Sequence, residues 1–381
     1  MKISGVKAYV VQLPNMWTSY VFVKVTTDEG VTGWGECSVG VESIKAVVEE
    51  LGAMLVGKDP FRIEEHWQSL YHVHHNVRGG VLHTAAISGI DIALWDIKGK
   101  AFNIPIYEML GGAMRDRIWG YGRFDGETPE KAVEHARAQV AAGFSALKGD
   151  PFGHQGIFTT LESERDAIAK VAAVRKAVGP NVELMVEVHG RLTPAEAIRV
   201  GQALEEYNPF FYEEPVPPQN VDAMAKVAAA LRIPLATGER LYTKWEFRQL
   251  IEKQVVSVVQ PDVCHAGGIL ELKKIAAMAE AYYIGFAPHN PYGPVNTVAA
   301  LHVVATVPNF IIQEGGHANY DPLLKQPFPG QKGGYFDLPK GPGLGIELDE
   351  AALVKYAAHG IVPMGYNTRF AFASRQQSKW I

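Results

Sequence analysis

The 381-residue chain reads as an α/β protein, a (β/α)₇β barrel preceded by a separate α+β domain. Three observations predict this. From about residue 118 onward, short apolar runs alternate with helical patterns. Glu187, Glu213 and Glu239 each sit near the end of such a run, and they stand 26 residues apart, about one strand-plus-helix unit. Before residue 118 the order is different, with strands first and helices after them.

In chain order, Val6 to Gln12, Tyr20 to Thr26 and Val31 to Glu36 read as a three-stranded antiparallel meander, with a turn at Asp28-Glu-Gly30. Helical patterns follow at 44–55, 63–71 and 84–101. Candidate barrel strands are 118–123, 146–150, 182–189, 210–214, 235–239, 256–262, 285–289 and 310–314. The helices between them start from plausible caps, Thr128 before Pro129, Thr193 before Pro194 and Asn220 before Val221. No Gly-x-Gly-x-x-Gly or P-loop pattern follows the first strand, which disfavours a doubly wound sheet. The division expected is 1–118, 119–345 and a closing segment 346–381 that packs back on the first domain.

Composition excludes several function classes. A formal charge of −5 and the lack of a long basic stretch disfavour nucleic acid or an anionic membrane as partner. No run reaches the ~18 apolar residues that span a bilayer. The N-terminus alternates like a strand and lacks a signal peptide's apolar stretch. The two cysteines, Cys37 and Cys264, fit a reducing compartment better than a disulfide scaffold, so a cytoplasmic address is expected.

On the barrel reading, polar residues collect at the strand ends, where such barrels build their active sites. These are Lys148 and Asp150, Glu187 and His189, Glu213, Glu239, Asp262, His289 and Glu314. A lone acid at a strand end is usually a cap or an ion-pair partner. Three at equal spacing converge, and they would repel one another unless a hard cation such as Mg²⁺ lay between them. Side chains two apart on a strand share a face, so Glu187 and His189 point inward together, as do Lys148 and Asp150. Glu213 and Glu214 diverge, which leaves Glu214 for a supporting salt bridge. His289 with Asp262 forms an acid–imidazole dyad in which the carboxylate orients the ring. The histidines at 72, 74, 75 and 83 match no structural zinc spacing and suit a loop over the barrel mouth. Arg191 and Tyr242 fit either substrate contact or rim ion pairs. Trp95 and Asp96 are expected to pack a helix and hold a domain contact.

Ser88-Gly-Ile-Asp-Ile-Ala-Leu-Trp-Asp-Ile-Lys-Gly99, Glu213-Glu-Pro215, Thr237-Gly-Glu239, Gln260-Pro-Asp262, His265-Ala-Gly-Gly-Ile269 and Ala287-Pro-His289 together resemble the enolase superfamily, in its mandelate-racemase-like branch. The resemblance runs over almost the whole chain. It is nearest to galactonate dehydratases and related sugar-acid dehydratases, in which a histidine follows the first ligand by two, as His189 follows Glu187. It implies a modified (β/α)₇β TIM-type barrel under an α+β capping domain. It also implies Mg²⁺ on Glu187, Glu213 and Glu239. His289, oriented by Asp262, would take the C2 proton, His189 would protonate the departing C3 hydroxyl, and Glu314 would bind the substrate carboxylate. The reaction implied is dehydration of a galactonate- or gluconate-like acid, through an enediolate, to a 2-keto-3-deoxy sugar acid, by a homo-oligomer of two to eight subunits.

Two departures stand out. Glu187 replaces the usual Asp, and Asp150 replaces the second lysine of a Lys-x-Lys pair, which lowers racemisation in rank. The alternatives are a cycloisomerase or lactone-processing enzyme of the same superfamily and, from another class, a non-catalytic sugar-acid binding protein. Substrate contacts are expected from Lys148, Asp150, Trp17, His74, Arg78 and His154.

Overall fold

The computed structural model describes residues 1–14, 19–38, 42–73, 79–153, 159–315 and 320–358. The first layer is an antiparallel sheet of β1 (Ile3–Val11), β2 (Tyr20–Thr27) and β3 (Thr32–Cys37), in that order. Against it pack α1 (Glu42–Ala53) and α3 (Val81–Phe102), and α2 (Ile63–His72) packs on α3. Helix α3 is apolar on nearly every face because it is covered by the sheet on one side and barrel helices on the other. Its approach to β3 is close enough to require glycine. A Cβ on Gly35 would lie 1.8 Å from the Gly89 carbonyl oxygen.

A short helix, α4 (Ile106–Met109), leads to the barrel. Its elements alternate as β4 (Arg117–Arg123), α5 (Pro129–Ala141), β5 (Ala146–Gly149), α6 (Leu161–Val178), β6 (Glu183–Glu187) and α7 (Pro194–Leu204). They continue as β7 (Phe211–Glu213), α8 (Val221–Ala230), β8 (Leu235–Thr237), α9 (Thr243–Glu252), β9 (Val258–Val259), α10 (Ile269–Glu280), β10 (Gly285–Phe286), α11 (Pro294–Val304) and β11 (Gln313–Glu314). Strands β4 to β10 pair in parallel, each with the next. The barrel closes where β11 pairs with β4 and Phe310 bridges Phe286.

Several ladders are shorter than the apolar runs suggest. β9, β10 and β11 hold two residues each, so Asp262 and His289 lie beyond the strands, joined by an isolated bridge. A hairpin of β12 (Gln331–Lys332) and β13 (Tyr335–Asp337), absent from the sequence reading, adds antiparallel to the start of β4. The segment carrying α12 (Glu350–Lys355) returns to β1, where the Ala358 N–H donates to the Val10 carbonyl and Lys24 pairs with Glu350 at 2.5 Å. No helix among the described residues is long and apolar enough to cross a membrane.

The barrel interior explains where the site falls. Tyr121, Ala146, Met185, Phe211, Ala236, Val258, Ala287 and Ile312, one from each strand or its extension, form one buried cluster in the lumen. Two residues further along each strand the side chain points to the lumen again, one layer nearer the C-terminal rim. That layer contains Arg123, Lys148, Glu187, Glu213, Gln260, His289 and Glu314.

Candidate active site

Arg123, Lys148, Glu187, Glu239, His189, His289, Tyr292 and Glu314 line a cavity of about 590 Å³ at that rim. At its base, Glu187, Glu213 and Glu239 bring one carboxylate oxygen each within 4.8 Å of one another. Glu187 and Glu213 are buried. Burial, and then the neighbouring Glu187 charge, push Glu213 up to about 8 against the pull of Lys148. Lys148 answers part of the charge. Its ammonium lies 2.8 Å from Glu213, 3.5 Å from Glu314 and 3.6 Å from Glu187.

The donor set fits a divalent cation. All three candidates are carboxylates, which suits a hard cation. Oε1 of Glu187 accepts from the backbone N–H groups of Val188 and His189, at 2.9 and 2.5 Å. Its Oε2 is buried and has no hydrogen-bond partner among the described residues. One oxygen of the longer Glu is thus held by its own backbone and the other is left for a ligand. Asp262, His265 and His289 also cluster within ligand distance. In that group His289 Nδ1 bonds Asp262 and His265 Nε2 donates to the Glu239 carbonyl at 2.6 Å, while His265 Nδ1 is buried without a partner among the described residues. The group offers one carboxylate to a hard cation where the glutamates offer three.

Two imidazoles flank the carboxylates. His289 donates from Nδ1 to Asp262 Oδ2 at 2.8 Å, and its Nε2 lies 3.4 Å from Glu239. Asp262 itself accepts from the Cys264 backbone N–H at 2.7 Å. His189 Nδ1 lies 4.0 Å from Glu187 and 2.9 Å from Asp150. Burial opposes protonation of both rings. For His289, Glu239 and the Asp262 bond outweigh it and raise the ring to about 10. For His189, Glu187 and the Asp150 bond raise it to about 9. A proton acceptor must be neutral, and the Glu239 charge that keeps His289 protonated is the charge a divalent cation would offset.

His189 reaches its place by a route the strand alternation did not anticipate. β6 ends at Glu187, and His189 adopts φ +52°, so a turn rather than the pleat brings it to the cavity. Glu214, at φ +41°, turns outward to an ion pair with Arg240, as expected for the neighbour of an inward Glu213. Arg191 closes an ion pair with Asp150 and donates to the Gly153 carbonyl at 2.6 Å. Asp150 also accepts from the Phe152 and Gly153 N–H groups. Its oxygens are thus engaged by protein partners, His189 among them, and it also lines the cavity beyond that ring. Lys148 is likewise held among carboxylates, though it still lines the cavity. Asp96 accepts from the Trp34 and Leu344 N–H groups, both at 2.9 Å, and holds the expected contact. His83 is buried on the Leu70 carbonyl. Trp17, His74, Arg78 and His154 lie outside the described residues.

The sequence reading missed several residues. Arg123 shares the rim layer and forks onto Asp125 at 3.0 and 3.4 Å; its position two after Tyr121 was the available signal. Asn290 donates its backbone N–H to Glu314 at 2.7 Å, and Asn296 donates its side chain to Asp262 at 3.0 Å. A second cavity, of about 670 Å³, lies beyond His189 and is lined by Asp125, Asp150, Lys170 and Arg191.

Comparison with known proteins agrees with this architecture. Residues 15–111 match the mandelate racemase/muconate lactonizing enzyme N-terminal domain family, and residues 131–352 the enolase C-terminal domain-like family. D-galactonate dehydratase of Ralstonia pickettii (strain 12J) is 40% identical over 365 residues, covering 93% of this chain and 94% of the relative. D-galactonate dehydratase of Variovorax paradoxus (strain S110) is 41% identical over 346 residues, covering 88% and 90%. Among solved structures, a mandelate racemase/muconate lactonizing enzyme-like protein from Roseovarius sp. TM1035 superposes with a TM-score of 0.89 at 39% identity, covering 94% of this chain and 96% of that one. A member of the enolase superfamily from Salmonella Typhimurium gives 0.87 at 36% identity, covering 93% and 98%. With the carboxylate triad, the barrel and the two family matches in agreement, the chain belongs to the enolase superfamily, in its mandelate racemase/muconate lactonizing enzyme branch.

Proposed function

We propose that the protein dehydrates a sugar acid, a galactonate- or gluconate-like aldonic acid, to the 2-keto-3-deoxy acid, with Mg²⁺ held by Glu187, Glu213 and Glu239. The observation that carries this is a pair of imidazoles in one cavity, each held by its own carboxylate and each beside a different member of the glutamate triad. The two D-galactonate dehydratases at 40% and 41% identity support the same reading.

Nε2 of His289 takes the proton from C2 while Asp262 stabilises the imidazolium that forms. Bound Mg²⁺ supplies positive charge against the substrate carboxylate as that group gains electron density. The C3–O bond then breaks, and His189 gives its proton to the departing hydroxyl, which leaves as water. The resulting C2–C3 enol takes a proton at C3 and becomes the 2-keto acid. Hydroxide is a poor leaving group, so an acid is required at C3, and His189, bonded to Asp150 beside Glu187, is placed to supply it. Glu314, fixed through Asn290, and Lys148 contact the substrate carboxylate. A cycloisomerase has no need for this second, protonated imidazole.

The test is 2-keto acid formation from C4 to C6 aldonic and aldaric acids, together with deuterium exchange at C2. His289→Asn is expected to abolish both. His189→Asn is expected to keep exchange and lose dehydration by about 10²–10⁴-fold. Full dehydration by both variants would refute the roles. The chain's division at about residues 118 and 345, its homo-oligomeric state and its cytoplasmic address belong to the same proposal. Size measurement in solution checks the assembly, and the two buried, unbridged cysteines support the address.

A further inference from the structure

The two carboxylate oxygens of Asp262 have different partners. Oδ2 accepts from His289, and Oδ1 accepts from the Cys264 backbone N–H and from Nδ2 of Asn296, at 2.7 and 3.0 Å. Asn296 is fully buried near the start of α11, and its backbone N–H donates to Glu36 Oε2 at 2.9 Å, which fixes the turn that carries it. A carboxylate only accepts, so the amide nitrogen must be the group that faces Asp262. The other end of the same amide, Oδ1, is buried with no hydrogen-bond partner among the described residues. An unsatisfied buried acceptor is costly, and an apolar side chain of the same volume avoids that cost. Packing alone therefore favours leucine here, and what asparagine adds is its N–H₂, which lies 3.0 Å from Asp262 Oδ1 and 3.2 Å from the weaker acceptor Cys264 Sγ.

We propose that Asn296 is a positioning residue for the reaction: its amide fixes the rotation of the Asp262 carboxylate, and through it the plane of the His289 ring. The inference rests on His289 being the proton acceptor. Without the amide, Oδ1 keeps one donor, the carboxylate swings about that single bond, and Nε2 leaves its line to C2. A misplacement on the order of 1 Å costs roughly 10²-fold in rate.

The test uses the full-length chain and two readouts. The Nδ1–H of His289, bonded to a carboxylate, gives a far-downfield proton resonance, identified by its loss in His289→Gln. Asn296→Leu, which keeps the volume and lacks the donor, is expected to displace or broaden that resonance. It is also expected to lower kcat about 10²-fold while KM stays within about twofold. Asn296→Ala gives the same comparison if the leucine variant does not fold. Val298→Ala, a cavity made in the buried side of the same helix, is expected to leave the resonance and kcat in place. An unchanged resonance in the Asn296 variants overturns the inference whatever their activity, and so does a wild-type kcat. A displaced resonance in a protein that dehydrates no sugar acid upholds the positioning role and overturns the dehydratase reading.

Discussion

Removing Lys148 isolates the charge balance under the active site. Its ammonium is buried, 2.8 Å from Glu213 and 3.5 to 3.6 Å from Glu314 and Glu187. At an effective dielectric of about 20, each such contact is worth roughly 5 kcal/mol before any cost is counted. Burying the ammonium takes back several kcal/mol, and breaking a buried pair leaves a net loss of about 3–5 kcal/mol. Lys148→Met is therefore expected to lower unfolding free energy by that amount in urea with chelator. The experiment belongs near pH 9, above the raised value of about 8 for Glu213 in the parent; without the pull of Lys148 that carboxylate rises further, and any proton it takes reduces the loss. Saturating Mg²⁺ should then rescue the variant more than the parent, because the cation enters a site of greater negative charge. At about 1,000 times Kd, binding adds roughly 4 kcal/mol to either protein, and the tighter site gains more. Equal loss with and without Mg²⁺ would refute the placement of the cation on these glutamates. Unchanged stability in chelator would refute Lys148 as their counter-charge.

Three further outcomes follow from named contacts. Glu213→Gln should weaken Mg²⁺ binding, measured by calorimetry, on the order of 100-fold, since it removes one anionic ligand and turns an amide N–H₂ into the site. His302 is buried, with Nδ1 accepting from the Tyr107 N–H and Nε2 donating to the Leu344 carbonyl, so burial holds the ring neutral down to about 4. The unfolded chain takes that proton near pH 6.5, so stability is lost as pH falls from about 6.5 to 4, by about 3 kcal/mol in all. In His302→Gln the slope of stability across that window should flatten. Glu36 accepts from the Gly293 and Asn296 N–H groups at 2.6 and 2.9 Å, and Glu36→Gln opposes one of them with a donor. Urea unfolding should show a loss of about 1–3 kcal/mol.

The barrel and the metal-side carboxylates were legible because both rest on local periodicity. Glu187 and Glu213 each follow an inward residue, Met185 and Phe211, by two, and regular spacing is visible in a single sequence. His189 was named for the right place on an incomplete reason, since its approach depends on a left-handed residue after the strand. The β12–β13 hairpin turns on Gly333 and Gly334, at φ +54° and +78°. Its flanking runs are only two and three residues long, too short for a periodic signal. Asn296 and Glu36 were invisible for another reason. Their partners lie 34 residues away at Asp262 and 257 away at Gly293, and nothing local marks a side chain that acts over such separations.

That difference divides the site itself. Helices α5, α6, α7 and α8 start from their own caps, Thr128, Thr160, Thr193 and Asn220, each accepting from a backbone N–H of the first turn. Helices α10 and α11 start from Gly268 and Gly293 and have no side-chain cap of their own. Their first N–H groups are bonded instead by the capping layer. Asp91 accepts from Ile269 at 2.7 Å, and Glu36 accepts from Gly293 and Asn296. The glycines clear the way for those acids. A Cβ on Gly268 would lie 2.2 Å from the Asp91 carboxylate, and one on Gly293 would lie 2.5 Å from Glu36. An anion at a helix N-terminus is favoured by the helix dipole as well as by the bonds. The helices capped from outside are those that follow β9 and β10, whose ends carry Asp262 and His289. The side of the barrel that gathers Glu187 and Glu213 is built from local signals. The side that carries Asp262 and His289 takes its final shape from contacts more than 170 residues away in sequence, so a change in how the first layer docks reaches the ends of β9 and β10 through the two helices that follow them.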